Sequence, residues 1–205
     1  GATNASIGVH AAQQDGVPLI LMIGQVPRRD LRKDAFQEID YQKMFGAMAK
    51  WVYEATTPEE LATAAFKAIR VATSGTPGPV VLVIPEDIQQ QPVPRRPLIS
   101  VPASLTQACA ATVAQIHERL ISSQRPLIIA GSMIGRREAG REALQVLSEK
   151  YKLPVAVAFR QNDVFPNDHP LYAGHLDLTM RKEQHKLFAS SDLLFALGTQ
   201  LDDIT

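Results

Sequence analysis

Val80-Val81-Leu82-Val83-Ile84, set between Gly78-Pro79 and Pro85, is apolar at every position. An amphipathic helix or a half-exposed strand interleaves polar residues. A short run without them, bounded by chain breakers, reads as a strand covered on both faces, and that is the environment of a parallel sheet. Residues 19–23, 126–130, 154–159 and 193–197 repeat the pattern, three of them closed by Gly24, Gly131 and Gly198. Parallel strands need long crossovers, usually helices. The stretches 4–15, 41–50, 58–74, 104–122, 136–151 and 182–189 are predicted to supply them, with a further strand over 51–55. At Thr57-Pro58-Glu59-Glu60 the start of one helix is explicit: an N-cap hydroxyl, Pro at the first helical position and acids where the macrodipole favours them.

Between Gln89 and Pro102 lie three consecutive Gln, four Pro and two Arg with little periodicity. Proline fixes the backbone and removes donors, so this interval is expected to be an extended, semi-rigid linker. The fold class expected is α/β, with two parallel-sheet, Rossmann- or flavodoxin-like units: residues 1–91, a Pro-rich linker over 92–103, and residues 104–205. The chain opens on Gly1 directly into a helical pattern and stops just past a strand and its turn, so both ends are expected to be cut from a longer polypeptide.

Composition narrows the partners. Twenty-one basic and 21 acidic residues give zero formal charge, so no global field favours nucleic acid or an anionic membrane surface. No apolar run reaches the ~18 residues of a membrane span. Cys109 is the single cysteine and falls in an Ala-rich helical pattern. It is expected to be a packed thiol in a reducing compartment, with a cytoplasmic location.

In open parallel sheets ligands sit beyond the carboxyl ends of strands, which singles out Gly24-Gln25, Gly131-Ser132 and Gly198-Thr199. The turn Gly131-Ser132-Met133-Ile134-Gly135 could hold a phosphate on backbone amides, or be a plain strand-to-helix turn; it does not complete G-x-G-x-x-G. His10, His117 and His185 lie in helical patterns without a second ligand at metal spacing, so no protein-held metal is expected. Asp163, Asp168 and Asp177 fall in loops, where Asp serves turns.

One motif goes further. Gly24-Gln25-Val26-Pro27-Arg28-Arg29, five residues, then Ala35-Phe36-Gln37-Glu38, resembles in identity and spacing the thiamine-diphosphate-dependent enzymes, most closely the acetolactate synthase and benzoylformate decarboxylase-like group. Gly1-Ala2-Thr3-Asn4 resembles the tail of their G-P-G-x-x-N segment. The strand from Pro79 to Gln89 resembles the one closing their pyrimidine-binding domain, while Arg125 to Gly131, Phe165 to Leu171 and Leu193 to Asp203 resemble landmarks of their central domain. The resemblance implies the later part of the first domain and most of the second. The catalytic glutamate would lie upstream and the Mg²⁺-binding G-D-G…N motif downstream, leaving this stretch inactive alone. Thiamine diphosphate and Mg²⁺ are the cofactors implied for the parent, a homodimer or homotetramer acting on a 2-keto acid or related acyl donor.

Carried over by the resemblance, Phe36 and Gln37 border the active site as an apolar wall and an amide. Asn4 and Gln25 fall near the cofactor and Arg28 matches a flavin-contacting arginine; Gly131 and Ser132 stay cofactor-binding candidates from their place after a strand. Three departures stand out. Ile84-Pro85-Glu86-Asp87 reverses a lysine of the family's I-P-K-D, Leu201-Asp202-Asp203-Ile204 lacks the arginine of F-D-D-R, and Asp177-Leu178-Thr179-Met180 replaces the flavin segment G-M-H-G. The last counts against FAD; the first two imply that an anionic second substrate binds poorly. The alternatives to a lyase or carboligase are an FAD- or ADP-binding module and a structural, dimer-forming module.

Overall fold

The computed structural model describes residues 1–93, 107–136 and 138–201, and the chain divides into two compact units, Gly1–Ser104 and Leu105–Thr205.

In the first unit α1 (Ala2–Gln14) leads into β1 (Leu19–Gln25), followed by α2 (Tyr41–Phe45), β2 (Trp51–Glu54), α3 (Pro58–Thr73), β3 (Pro79–Pro85) and α4 (Glu86–Gln89). The three strands form one parallel sheet in the order β1-β3-β2. The all-apolar run is therefore the central strand, buried at every residue, and each Val, Leu or Ile it buries is worth about 1.5–3 kcal/mol. One sheet face packs Ile23, Val52, Val81 and Val83 with Val9, Tyr41 and Phe45 from the helices. On the other, Val80 and Leu82 meet Ala64, Ala68 and Ala72, whose small side chains let α3 approach closely. Thr57 caps α3 as its sequence requires, its hydroxyl accepting from the Glu60 N–H at 3.2 Å.

β1 departs from the expectation of a strand covered on both faces. It is an edge strand, and Ile20 and Met22 remain 38% and 64% exposed.

The second unit holds α5 (Ala110–Ser122), β4 (Pro126–Ala130), α6 (Ser132–Gly135), α7 (Glu138–Tyr151), β5 (Val155–Val157), β6 (Tyr172–His175), α8 (Lys182–Ser190) and β7 (Leu193–Leu197). Its parallel sheet runs β6-β5-β4-β7. The chain steps outward from β4 to β6, then crosses back to lay β7 on the other side of β4, so the strand order reverses between β4 and β7. β6 was not expected: Tyr172-Ala173-Gly174-His175 carries no apolar run, and its pairing with β5 sets it in the sheet despite a register irregularity.

The helix expected over 104–122 begins, among the described residues, at Ala110, and Cys109 is its N-cap. The thiol is consequently exposed, not packed, with Sγ 3.0 Å from Thr112 Oγ1, a contact that lowers its pKa. The whole first half of this helix is exposed, Val113 included, and only Ile116 and Leu120 turn toward the core. Most of the expected linker, and Leu105, Asp202, Asp203 and Ile204, lie outside the described residues. No helix among the described residues is long and apolar enough to cross a membrane.

Candidate functional site

β1 and β3 end side by side, with Gln25 opposite Pro85. Because α1 runs back against β1, its first residues reach the same end of the sheet. Between them opens a cleft of about 860 Å³, lined by Thr3, Gln25, Phe36, Gln37, Tyr41 and Glu86 among others. A cleft beyond the carboxyl ends of parallel strands is where this architecture places ligands.

The structure brings together three of the seven residues singled out from the sequence: Gln25, Phe36 and Gln37. They play different parts. Gln25 is 6% exposed, and its Nε2 donates to the Ile39 carbonyl at 3.0 Å and to Glu54 Oε2 at 3.4 Å. Its Oε1 accepts from the Val26 N–H at 3.1 Å. Both amide hydrogens are thus used inside the protein, where they clamp the two ends of the loop after β1 to each other and to β2. Phe36 and Gln37 sit on that loop and point outward, Phe36 being 88% exposed.

The loop is held open by conformations that L-residues avoid. Arg32, Asp34 and Gln37 have φ of 62°, 53° and 67°, each costing about 1–3 kcal/mol unless its surroundings impose it. The Glu38 carboxylate does so. It accepts the backbone N–H groups of Arg32, Lys33 at 3.3 Å and Ala35 at 3.1 Å. These donors, Arg32 first, hold the carboxyl below its ordinary pKa.

Glu86 is the only formally charged side chain among the described residues lining the cleft. It is exposed. No group of three or more His, Cys, Asp or Glu side chains that could hold a metal occurs among the described residues.

The remaining candidates are elsewhere. Asn4 is exposed on α1 and is not part of the cleft lining. Arg28 turns away from it: Nε donates to Asp87 Oδ2 at 2.7 Å and the terminal nitrogen to the Thr56 carbonyl at 2.6 Å. Gly131 and Ser132 belong to the second unit, at the point where its strand order reverses. There the Gly131 N–H donates to the Leu197 carbonyl at 2.9 Å and the Met133 N–H to the Gly198 carbonyl at 3.0 Å. A Cβ on Gly131 would stand 2.5 Å from Thr199 Cα. The glycine lets two strand-end turns touch, and the amides of Gly131 and Met133 are already donated between them.

Sequence reasoning passed over Glu38, Glu54 and Asp87 as functional groups, although it quoted Glu38 and Asp87 within motifs. The available signal for Glu38 was its place at the end of Ala35-Phe36-Gln37-Glu38, which states a charge but not the amides it collects.

The chain matches known proteins in both sequence and fold. Residues 1–44 match the N-terminal TPP binding domain of thiamine pyrophosphate enzymes, and residues 113–205 match their central domain. The chain is 33% identical to the acetolactate synthase large subunit of Parasynechococcus marenigrum and 31% identical to the isozyme 1 large subunit of Escherichia coli. The alignments cover 99% of the chain and 34% and 36% of those proteins. The crystal structure of benzoylformate decarboxylase from Polynucleobacter necessarius superposes with a TM-score of 0.82 at 28% identity, over 97% of this chain and 38% of that one. The chain therefore spans about a third of the length of the relatives it matches. With both domain models in chain order and a matching fold, the chain belongs to the thiamine-pyrophosphate-dependent enzymes, related to acetolactate synthase and benzoylformate decarboxylase.

Proposed function

We propose that this chain forms part of a thiamine-diphosphate-dependent lyase or carboligase acting on a 2-keto acid or related acyl donor, with residues 1–91 in the pyrimidine-binding domain and 104–205 in the central domain. The observation that carries the proposal is the cleft at the ends of β1 and β3, where Gln37 and Phe36 stand on a loop whose shape is paid for by buried polar clamps. Its volume accommodates a planar heterocycle with room for a substrate acyl group, and nothing lies within 4 Å of where a Cβ on Gly24 would be, leaving space at the strand end.

The residues present fit one part of the cofactor. Apolar Val26, Pro27 and Ile39 and the amide of Gln37 suit the ring system, whereas the diphosphate and its Mg²⁺ find no ligand cluster among the described residues. When bound, the cofactor supplies the carbanion chemistry. The chain's own share is orientation. Gln37 donates to a substrate carbonyl or oxyanion, Phe36 closes an apolar wall that excludes water, and Gln25 fixes the loop that carries both. Glu86 sets the charge of the mouth, favouring a neutral acceptor over a second carboxylate. We assign the complete enzyme to the cytoplasm as a homodimer or homotetramer, on the family to which this chain belongs.

Two measurements test this reading. Calorimetric titration of the 205-residue chain with thiamine diphosphate and Mg²⁺ is expected to show weak binding and no decarboxylation. In the complete enzyme, Gln37→Ala is expected to lower kcat with every donor by about 10²-fold, the scale for losing one donor to a developing oxyanion. Full turnover by that variant would overturn the assignment of the cleft.

A further inference from the structure

We propose that Glu38 is a positioning residue of the cleft: by gathering the backbone N–H groups of Arg32, Lys33 and Ala35 onto one carboxylate, it holds Phe36 and Gln37 where they face the ligand. The proposal rests on the functional reading of the cleft given above and adds to it the group on which the Phe36–Gln37 geometry depends.

The argument starts from the backbone. Three residues between Arg32 and Gln37 that are not glycine occupy the left-handed region, which L side chains adopt only when something outside the local chain compensates. Three amide hydrogens within four residues then converge, too close together for one another's carbonyls. One anionic acceptor with two oxygens satisfies them all: one oxygen takes the Arg32 N–H, the other those of Lys33 and Ala35. Glu38 is itself anchored, its N–H donating to the Ala35 carbonyl at 2.9 Å, so the carboxylate closes a ring around Phe36 and Gln37. The next residue, Ile39, is fixed to Gln25. The loop is therefore tied at its base by Gln25 and braced at its tip by Glu38. Gln37 needs that brace, since its own φ of 67° is unfavourable and its exposed side chain has no packing to restore it.

The depressed pKa of Glu38 agrees with this role, because hydrogen bonds donated to the charged form favour it. Gln is then an instructive replacement. It keeps the length and one acceptor oxygen but presents an NH₂ group where the other oxygen accepted.

The test has two arms. In this chain, NMR hydrogen exchange at the amides of Arg32, Lys33 and Ala35 is expected to speed up by about tenfold or more in Glu38→Ala, as charge-assisted bonds are lost. Glu38→Gln should be intermediate and the amides of β3 unchanged. Unchanged exchange in the loop would overturn the proposal. In the complete enzyme, Glu38→Ala is expected to lower kcat more than it raises KM, and its effect should be largely lost in a Gln37→Ala background, leaving only the part exerted through Phe36. A carboxylate that only stabilised the fold would add its loss to that of Gln37, so additive effects also overturn the positioning role. Gln37→Ala with full turnover, by contrast, sinks the functional reading of the cleft itself.

Discussion

Arg28 and Asp87, 59 positions apart, are joined twice: the Arg28 backbone N–H donates to Asp87 Oδ1 at 3.0 Å and its Nε to Oδ2 at 2.7 Å. The pair fastens the start of the loop after β1 to the first turn of α4, one residue from Glu86. An arginine that the family resemblance assigns to a cofactor contact is here part of the frame that shapes the cleft.

That frame is expected to weaken in acid. The Arg28 backbone N–H first, and its guanidinium second, hold the Asp87 carboxyl below its ordinary range. The folded-state value is thus the lower one, so its stabilisation is complete above the unfolded carboxylate value of about 3.9 and is lost as pH falls through the depressed value. In Asp87→Asn this acid-side contribution disappears. Thermal unfolding followed through Trp51, the one tryptophan, should show wild type and variant converging toward low pH. Parallel curves would refute the pairing.

Asp192 makes the same argument for the second unit. Its carboxylate accepts from the Ser123 hydroxyl and from the N–H groups of Gln124 and Arg125, each at 2.8 Å, and its pKa falls to about 2. The three contacts tie the turn before β4 to the start of β7. Asp192→Asn should lower the melting temperature of this unit at pH 5–7, the difference shrinking as pH drops toward about 2. NMR exchange at the β7 amides over that range provides the check.

Gly131→Ala separates a packing glycine from a ligand-binding one. A methyl group there would stand 2.5 Å from Thr199 Cα and 2.6 Å from the Gly198 carbonyl oxygen. These are backbone atoms, which cannot swing aside. Overpacking of this kind costs ~1–3 kcal/mol, or at least about 4 °C in Tm for a unit of this size. Calorimetry on the chain without any ligand measures it; an unchanged Tm would return the turn to its ligand-binding interpretation.

Glu86→Lys tests the charge of the mouth. The sequence implies a large effect on anionic acceptors, but Glu86 is exposed, and exposed charge pairs are worth only ~0.2–1 kcal/mol. Steady-state kinetics of the complete enzyme with a 2-keto acid acceptor should therefore show a gain in kcat/KM of a few-fold, larger at low ionic strength. An unchanged value would mean that the acceptor never meets this residue.

Much of the fold is readable in the chain because its signals are local. Five apolar runs, four of them stopped by Gly or Pro, mark five strands, and Thr57-Pro58-Glu59-Glu60 marks a helix start to the residue. The exceptions are also physical. β6 escapes notice because Tyr172–His175 owes its extended form to pairing with β5, a contact made only after folding. Cys109 looks internal to a helix until the helix is seen to begin one residue later.

For the site, the chain by itself determines the family and the motif that carries Gln25, Phe36 and Gln37, because motif spacing survives in one dimension. Which of those residues is clamp and which faces the cleft was decided only in three dimensions. Gln25 is spent on Ile39, Val26 and Glu54, Arg28 on Asp87 and Thr56, and the Gly131 turn on Leu197 and Gly198. A polar group pairs with whatever partner the folded chain brings to it, and for Arg28 and Asp87 that partner lies 59 positions away. Glu38 makes the opposite case. Its partners are three to six residues distant, yet they converge only because the backbone turns left-handed at Arg32, Asp34 and Gln37, a path toward which Asp34 alone of the three leans.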